Sequence, residues 1–225
     1  MSLVATSITV GSLVALAFRG FDLLEYVFVA HPPYITEGVV AGLVALLVVG
    51  QTLGPVLVLC LFRPAREVAL AGLAQPEDTL GALLRLAAGV AGVLGLQVAW
   101  NAVGWNPSEP WRVIEHVVYA VVGGGRLGPL LWLAATVGVA GPIAEEVLFR
   151  GLLFGLLRRR LRFWVAATLS AAAFGLAHGP AGVIPTGLLG LYMAWQVERD
   201  RSLMGALALH MLNNLGALLV LSAQP

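Results

Sequence analysis

Charged residues are scarce in this chain. Only 11% of its 225 residues are Asp, Glu, Lys or Arg, whereas an ordinary soluble domain has about 25%. By contrast, 59% of the residues are hydrophobic, and the mean hydropathy is +0.90. This composition excludes a soluble enzyme and predicts a protein that crosses a membrane several times.

Cysteine and long basic runs are also nearly absent. The single cysteine, Cys60, excludes a disulfide framework within one chain, and no redox chemistry is indicated. The formal net charge is +1, and the largest basic cluster is Arg158, Arg159, Arg160 and Arg162. Nucleic acid needs a more extended basic face, so we expect no nucleic-acid partner.

Seven apolar runs approach the length of about 20 residues that crosses a bilayer. With no internal repeat or low-complexity tail, they predict an all-α, polytopic transmembrane helical bundle of about seven to eight helices. Within this single bundle we distinguish N-terminal helices and an interfacial segment at 1–126 from a helical core at 127–225. The runs are Leu3–Phe18, Val39–Phe62, Leu83–Trp100, Leu127–Phe149, Phe163–Ala177, Val183–Val197 and Leu203–Leu221.

The arginines between these runs are distributed unequally. If the helices alternate in direction, the loops on one side hold eight arginines and those on the other side hold three. The positive-inside bias then predicts that the N-terminus lies inside, provided that residues 111–125 form an interfacial helix. Lysine is absent and no eukaryotic targeting signal is found, so we expect the cytoplasmic (inner) membrane of a bacterium.

Ionisable residues inside apolar runs are costly and usually functional. The fourth run ends in Glu145–Arg150, with the sequence EEVLFR. Glu146 and Arg150 are four residues apart and should meet on one helix face, whereas Glu145 is rotated by about 100°. One glutamate is then tethered and the other is free for chemistry. Pro142 predicts a kink or a fresh helix start just before the pair.

Two further polar sets follow in later runs. Phe174 and His178 share a helix face, and the helix should end at His178 because Gly179-Pro180 follows. His210 and Asn214 share a face in the last run. A carboxylate held away from water suits a general base, and imidazole and amide groups suit proton transfer and oxyanion binding. The combination matches hydrolysis of an amide bond.

The motifs EExxxR, FxxxH and HxxxN, in this order on successive runs, resemble the CPBP family. That family includes type II CAAX prenyl endopeptidases and bacteriocin-processing or immunity (Abi) proteins. The resemblance covers about Gly141 to Leu219 and implies an intramembrane endopeptidase. It assigns the base to Glu145, with His178 sharing the water. In this resemblance, Glu146 and Arg150 orient and brace Glu145. His210 and Asn214 form the oxyanion side of the site. Phe174 packs beside His178 and contacts the substrate.

A zinc-dependent metalloendopeptidase is the closest alternative. Glu145, His178 and His210 are residue types that bind Zn²⁺ and leave a position open for water. The sequence lacks the HExxH pattern in which two histidines share one helix turn, so we expect no cofactor.

Two functions without proteolysis also stay open. A proton-coupled transporter would use the glutamates and histidines as a relay, but the sequence shows no repeated halves. A non-catalytic protein would bind a peptide, for example in bacteriocin immunity. We favour a peptidase that acts, within the lipid bilayer, on a membrane-associated or lipidated peptide.

Overall fold

The computed structural model describes residues 63–102, 130–131 and 133–222, and in this part of the chain all regular structure is helical. The all-α prediction is confirmed here, while the number of transmembrane helices stays a prediction. The helices are α1 (Arg63–Gly72), α2 (Thr79–Ala102), α3 (four consecutive segments that cover 134–158), α4 (Phe163–Ala177), α5 (Gly179–Asp200) and α6 (Met204–Ser222).

Helix α3 is one continuous stretch of alternating π-helical and α-helical segments. The residue that ends each of the first three segments keeps right-handed helical backbone angles, so the chain does not break between them. Such π-helical turns are rare in proteins overall, and many of those that occur lie at functional sites. The segments are Ala134–Ala140 (π), Gly141–Glu146 (α), Val147–Phe154 (π) and Gly155–Arg158 (α).

The predicted runs in this part coincide with helices but differ at some ends. The fifth run has the bounds of α4. The fourth was predicted to end at Phe149 and instead continues to Arg158, because the charge of Arg150 is buried and paired inside the bundle. The sixth begins earlier, at Gly179, since Pro180 fits the first turn of a helix. The first two runs and residues 111–125 lie outside the described residues.

Hydropathy alone does not predict α1, because it is short and polar. Its exposed Arg63 donates to Glu67 one turn later, over 2.8 Å, a spacing that supports an isolated helix. Its last residue, Gly72, accepts a hydrogen bond from the Leu203 amide. A Cβ atom at Gly72 would lie 2.5 Å from the Leu203 side chain, so glycine permits this close approach.

One described helix is long and apolar enough, by length and composition, to cross a bilayer. It covers Thr79–Ala99, and large apolar side chains such as Leu84 and Val98 are exposed along it. Phe163–Ala177 and Met204–Val220 are apolar but shorter. An outward-facing apolar surface of this kind suits contact with lipid.

The core joins α3, α4, α5 and α6 around Phe149, Phe174, Met193 and Leu209. Helices α4 and α5 form a hairpin with only His178 between them. A Cβ atom at Gly175 would lie 2.5 Å from a main-chain oxygen of α5, so glycine allows the two helices to pack backbone to backbone. This close packing holds the end of α4 against the middle of the bundle.

Ion pairs and a hydrogen bond connect several helix ends at one end of the bundle. Arg158 at the end of α3 pairs with Glu198 near the end of α5, over 2.8 Å. Arg85 near the start of α2 reaches the buried Asp200 over 2.6 Å. Ser202, before α6, donates to the Ala74 carbonyl over 2.6 Å. We call this region the arginine end; which side of the membrane it faces stays a prediction.

Candidate active site

Glu146 and Arg150 form a buried ion pair on α3, as their spacing predicts. Each is 1% exposed, and Arg150 Nη1 donates to Glu146 Oε1 over 2.9 Å. The guanidinium also lies over the Phe174 ring, 4.1 Å from its centroid, in a cation–π contact. Removing charge from water is costly, so each member of the pair depends on the other.

His210 on α6 is held by the same glutamate. Its Nδ1 lies 2.8 Å from Glu146 Oε1. A carboxylate that pairs with an arginine accepts hydrogen bonds, so His210 donates through Nδ1. Its Nε2 then points the other way and lies 3.6 Å from Glu145 Oε2. Glu146 therefore sets the orientation of the His210 ring.

His178 lies at the junction of α4 and α5, as the following Gly-Pro pair predicts. Its Nδ1 is 2.8 Å from the main-chain oxygen of Phe174. A carbonyl can only accept, so Nδ1 carries the proton and Nε2 of the neutral ring keeps a lone pair. That Nε2 lies 3.9 Å from Glu145 Oε2.

Glu145 is the point on which the two histidines converge. Its side chain is 25% exposed, but its Oε2 atom is buried and has no hydrogen-bond partner in the described part of the chain. Both Nε2 atoms face this oxygen at distances too long for a direct hydrogen bond. With neutral rings, three acceptors face one another, so the site needs a donor or a cation between them.

Phe174 packs beside His178, as predicted. The two rings meet edge to face with centroids 4.5 Å apart, and His210 and Phe149 lie against the same ring. These contacts leave Phe174 only 1% exposed, so a substrate would reach it only if a neighbour moved. Its substrate contact stays a prediction.

Asn214 makes its described hydrogen bonds away from Glu145 and the histidines. Its Nδ2 donates to the Val137 carbonyl over 3.0 Å. The backbone explains why this carbonyl needs a donor. The Gly141 amide bonds to the carbonyl five residues back, and the next amide in that series would bond to Val137. That next residue is Pro142, which has no N–H, so Asn214 supplies the missing donor.

Pro142 thus has a consequence beyond the predicted helix start. It lies in the first turn of the segment Gly141–Glu146, and the helix continues through it without a break. Asn213 donates to Asn214 Oδ1 over 3.2 Å and so orients the amide toward α3. The oxyanion role of Asn214 stays a prediction.

We expect Asn214→Ala to lower the free energy of unfolding by about 1–2 kcal/mol, because the Val137 carbonyl loses its donor. Adding Pro142→Ala returns a backbone N–H to this turn and should recover about half of the loss. Thermal or denaturant unfolding of the four proteins in detergent measures this coupling. Strictly additive effects would contradict the pairing of Asn214 with the carbonyl that Pro142 leaves without a donor.

Two positioning residues are missed by the sequence analysis. Ser170 Oγ donates to the Phe149 carbonyl over 2.9 Å and fixes α4 against α3. At Gly190, a Cβ atom would lie 2.9 Å from Arg150 Nη2 and 3.1 Å from the Phe174 ring. The residues that Ser170 and Gly190 contact are not three or four positions away along the same helix. Their roles are therefore visible only in the tertiary structure.

Gly190→Ala should therefore disturb the ion pair from the opposite helix. We expect it to lower the free energy of unfolding by about 1–3 kcal/mol, the usual cost of overpacking. Gly216→Ala is the matched control, because a Cβ there meets nothing within 4 Å and should be neutral or stabilising. Unfolding curves that do not distinguish the two variants would contradict the close packing at Gly190.

The three converging atoms are of the types that zinc accepts: one carboxylate oxygen and two imidazole nitrogens. Within the described residues, however, no group of three or more His, Cys, Asp and Glu side chains is arranged to hold a metal ion. Whether the site works with a metal or without one stays a prediction.

Comparison with known proteins locates a family match on this part of the chain. Residues 127–216 match the family described as type II CAAX prenyl endopeptidase Rce1-like. The Bacillus subtilis (strain 168) protein named "Putative membrane peptidase YdiL" is 34% identical over 71 residues. That match covers 32% of this chain and 25% of the relative, so the chain spans about a quarter of that protein's length. No solved structure matches the chain.

The family match and the three motifs point the same way. The matched residues 127–216 contain the paired glutamates, the arginine, both histidines, Phe174 and Asn214. The family identification made from the motifs is confirmed. This chain is an integral membrane protein, and its residues 127–216 are similar to the type II CAAX prenyl endopeptidase Rce1-like family.

Proposed function

We propose that the protein is an intramembrane endopeptidase that hydrolyses a peptide bond with a water molecule activated by Glu145. One observation carries the proposal. The buried Glu145 Oε2 has no hydrogen-bond partner in the described part of the chain and faces the Nε2 atoms of His178 and His210 at 3.9 and 3.6 Å. Glu145 Oε2 and His178 Nε2 are both acceptors, and a water has two O–H groups that it can donate to them.

In this proposal, the water donates one O–H to Glu145 and the other to His178. An oxygen lone pair is then left to attack the carbonyl carbon of the substrate, and Glu145 takes the proton. The tetrahedral intermediate collapses as the C–N bond breaks, and the proton passes to the leaving amine. One water is consumed, and a carboxyl group and an amine are formed.

His210 and Asn214 each have one N–H that could serve as an oxyanion donor. The Nδ1 proton of His210 is engaged by Glu146, so Nε2 donates only when the ring carries a second proton. With both glutamates ionised and Arg150 charged, that proton makes the buried cluster neutral overall, which suits a site of low dielectric. Asn214 has one amide N–H bonded to Val137, so only its second N–H is free to stabilise the oxyanion.

The proposed substrate is a membrane-associated or lipidated peptide. Glu145 and His178 are 25% and 29% exposed, which suits a site that a peptide can reach from the surface of the bundle. We propose the bacterial inner membrane as the location, with the N-terminus inside, and residues 127–225 as the catalytic core. We further propose that no metal is needed.

The proposal is tested with the full-length protein, purified in detergent, and a library of quenched-fluorescence peptides. We expect cleavage that persists after treatment with a strong chelator and does not increase when Zn²⁺ is added back. Activity that a chelator removes and Zn²⁺ restores would contradict the metal-free mechanism and favour the zinc alternative. No cleavage anywhere in a broad library would contradict the peptidase and favour the peptide-binding alternative.

A further inference from the structure

A cavity of about 500 Å³ opens at the arginine end, apart from the three atoms that converge on the candidate active site. It lies between the last turns of α3, the end of α5 and the end of α1. Three glycines, Gly72, Gly151 and Gly155, lie in its wall. Its charged lining residues are Arg150, Arg158, Arg159, Arg201 and Glu198.

Ion pairs within the described residues neutralise only half of these arginines. Arg158 binds both carboxylate oxygens of Glu198 over 2.8–3.2 Å. Arg150 is paired with Glu146 in the candidate active site. Arg159 and Arg201 are exposed and have no carboxylate partner in this part of the chain. Two arginines that have no carboxylate partner among the described residues therefore line the same cavity.

The backbone at Arg201 gives an independent sign that its side chain is needed. Arg201 ends α5 with a φ of 49°, and within the described part it is the non-glycine residue with a positive φ. Glycine is the usual residue at such a helix end, because side chains disfavour the left-handed region. Backbone strain of this kind concentrates at functional sites.

We propose that this cavity binds a phosphate group, with Arg159 and Arg201 as its principal ligands. Guanidinium groups match phosphate oxygens in geometry and in charge. The volume exceeds that of a single ion and leaves room for the alcohol group of a phosphate ester. Lipid headgroups carry such esters, and Trp164, exposed at the start of α4, is a residue type enriched at headgroup level. A soluble phosphate ester has the same chemistry.

The test is calorimetric titration of the full-length protein in a non-ionic detergent. Three ligands are compared: a short-chain phosphatidylglycerol, the matching phosphatidylcholine and free glycerol phosphate. We expect saturable binding of at least one of the two anionic ligands and weaker binding of phosphatidylcholine. The variant Arg159→Gln/Arg201→Gly should bind the anionic ligand at least about tenfold more weakly, as expected for lost charge-assisted hydrogen bonds.

The control variant is Arg160→Gln/Arg162→Gln, which removes the same charge from exposed arginines that do not line the cavity. Its affinity should stay within about twofold of wild type. Arg201→Gly relieves backbone strain, so the variant should stay folded. A thermal unfolding curve of the variant then shows whether weaker binding comes from the lost arginines or from lost folding. Binding of phosphatidylglycerol alone identifies a lipid, and binding of glycerol phosphate identifies the ester itself. No saturable binding, equal affinity for phosphatidylcholine, or equal loss in the control would overturn the proposal.

Discussion

Glu145→Gln should lower the rate of peptide cleavage by at least about 10²-fold, the usual contribution of a general base. Glutamine has the size of glutamate but does not take a proton from water. The Glu145 Oε2 atom makes no hydrogen bond within the described part of the chain, so the substitution removes no hydrogen bond of that atom from the fold. Activity should therefore fall while the unfolding temperature stays close to that of wild type.

The control for this variant is Glu67→Gln on α1. Glu67 is exposed and pairs only with Arg63 among the described residues, so its loss should change the cleavage rate by less than about twofold. Initial rates on one peptide and thermal unfolding in detergent are measured for all three proteins. A Glu145→Gln protein that cleaves at the wild-type rate would exclude Glu145 as the base.

Arg150→Met should have the largest effect on stability, about 3–5 kcal/mol, because it leaves the Glu146 carboxylate buried without its cation. Both side chains are 1% exposed, and Arg150 also covers the Phe174 ring. Glu146→Gln/Arg150→Met removes both charges and should be more stable than Arg150→Met alone. His210 loses its carboxylate partner in the double variant, so activity should not return.

Arg63→Met provides the matched comparison, since it breaks an exposed pair with the same spacing on α1. It should lower the free energy of unfolding by less than about 1 kcal/mol. Denaturant unfolding in mixed micelles measures all of these variants. Similar losses at the buried and the exposed pair would show that burial does not set the strength of the Glu146 contact.

Local spacing was enough to predict several parts of the site. Glu146 and Arg150 meet because residues four apart lie on one helix face, and His178 ends its helix because Gly-Pro follows. Phe174 packs beside His178 for the same reason of spacing. Each of these contacts lies within one helix or at its end, where the period of the helix determines which side chains meet.

Contacts between distant segments could not be predicted in this way. That Glu145 faces His210 depends on how α6 packs against α3, which no periodicity in either helix specifies. The bond from Asn214 to Val137 depends on a π-helical turn before Pro142, so spacing on α6 alone does not predict it. Hydropathy likewise ended the fourth run at Phe149, because it counts a buried, paired arginine as a surface charge.

The different environments of the arginines at the arginine end could not be predicted from the sequence either. In the sequence they serve only to predict which loops share a side of the membrane. The structure shows that these arginines differ in whether they have a carboxylate partner. Arg158 is paired with Glu198, whereas Arg159 and Arg201 line a cavity and have no carboxylate partner among the described residues. The distinction comes from α5 lying beside the end of α3.

The central claim is that Glu145 activates a water that attacks the peptide directly. Cleavage of one peptide in heavy-oxygen water, with enzyme in excess so that each molecule turns over once, tests this most directly. Mass spectrometry should find one heavy oxygen atom in the new carboxyl group of the product and none on Glu145. Product that carries only ordinary oxygen, with the heavy atom on the Glu145 side chain, would contradict the account.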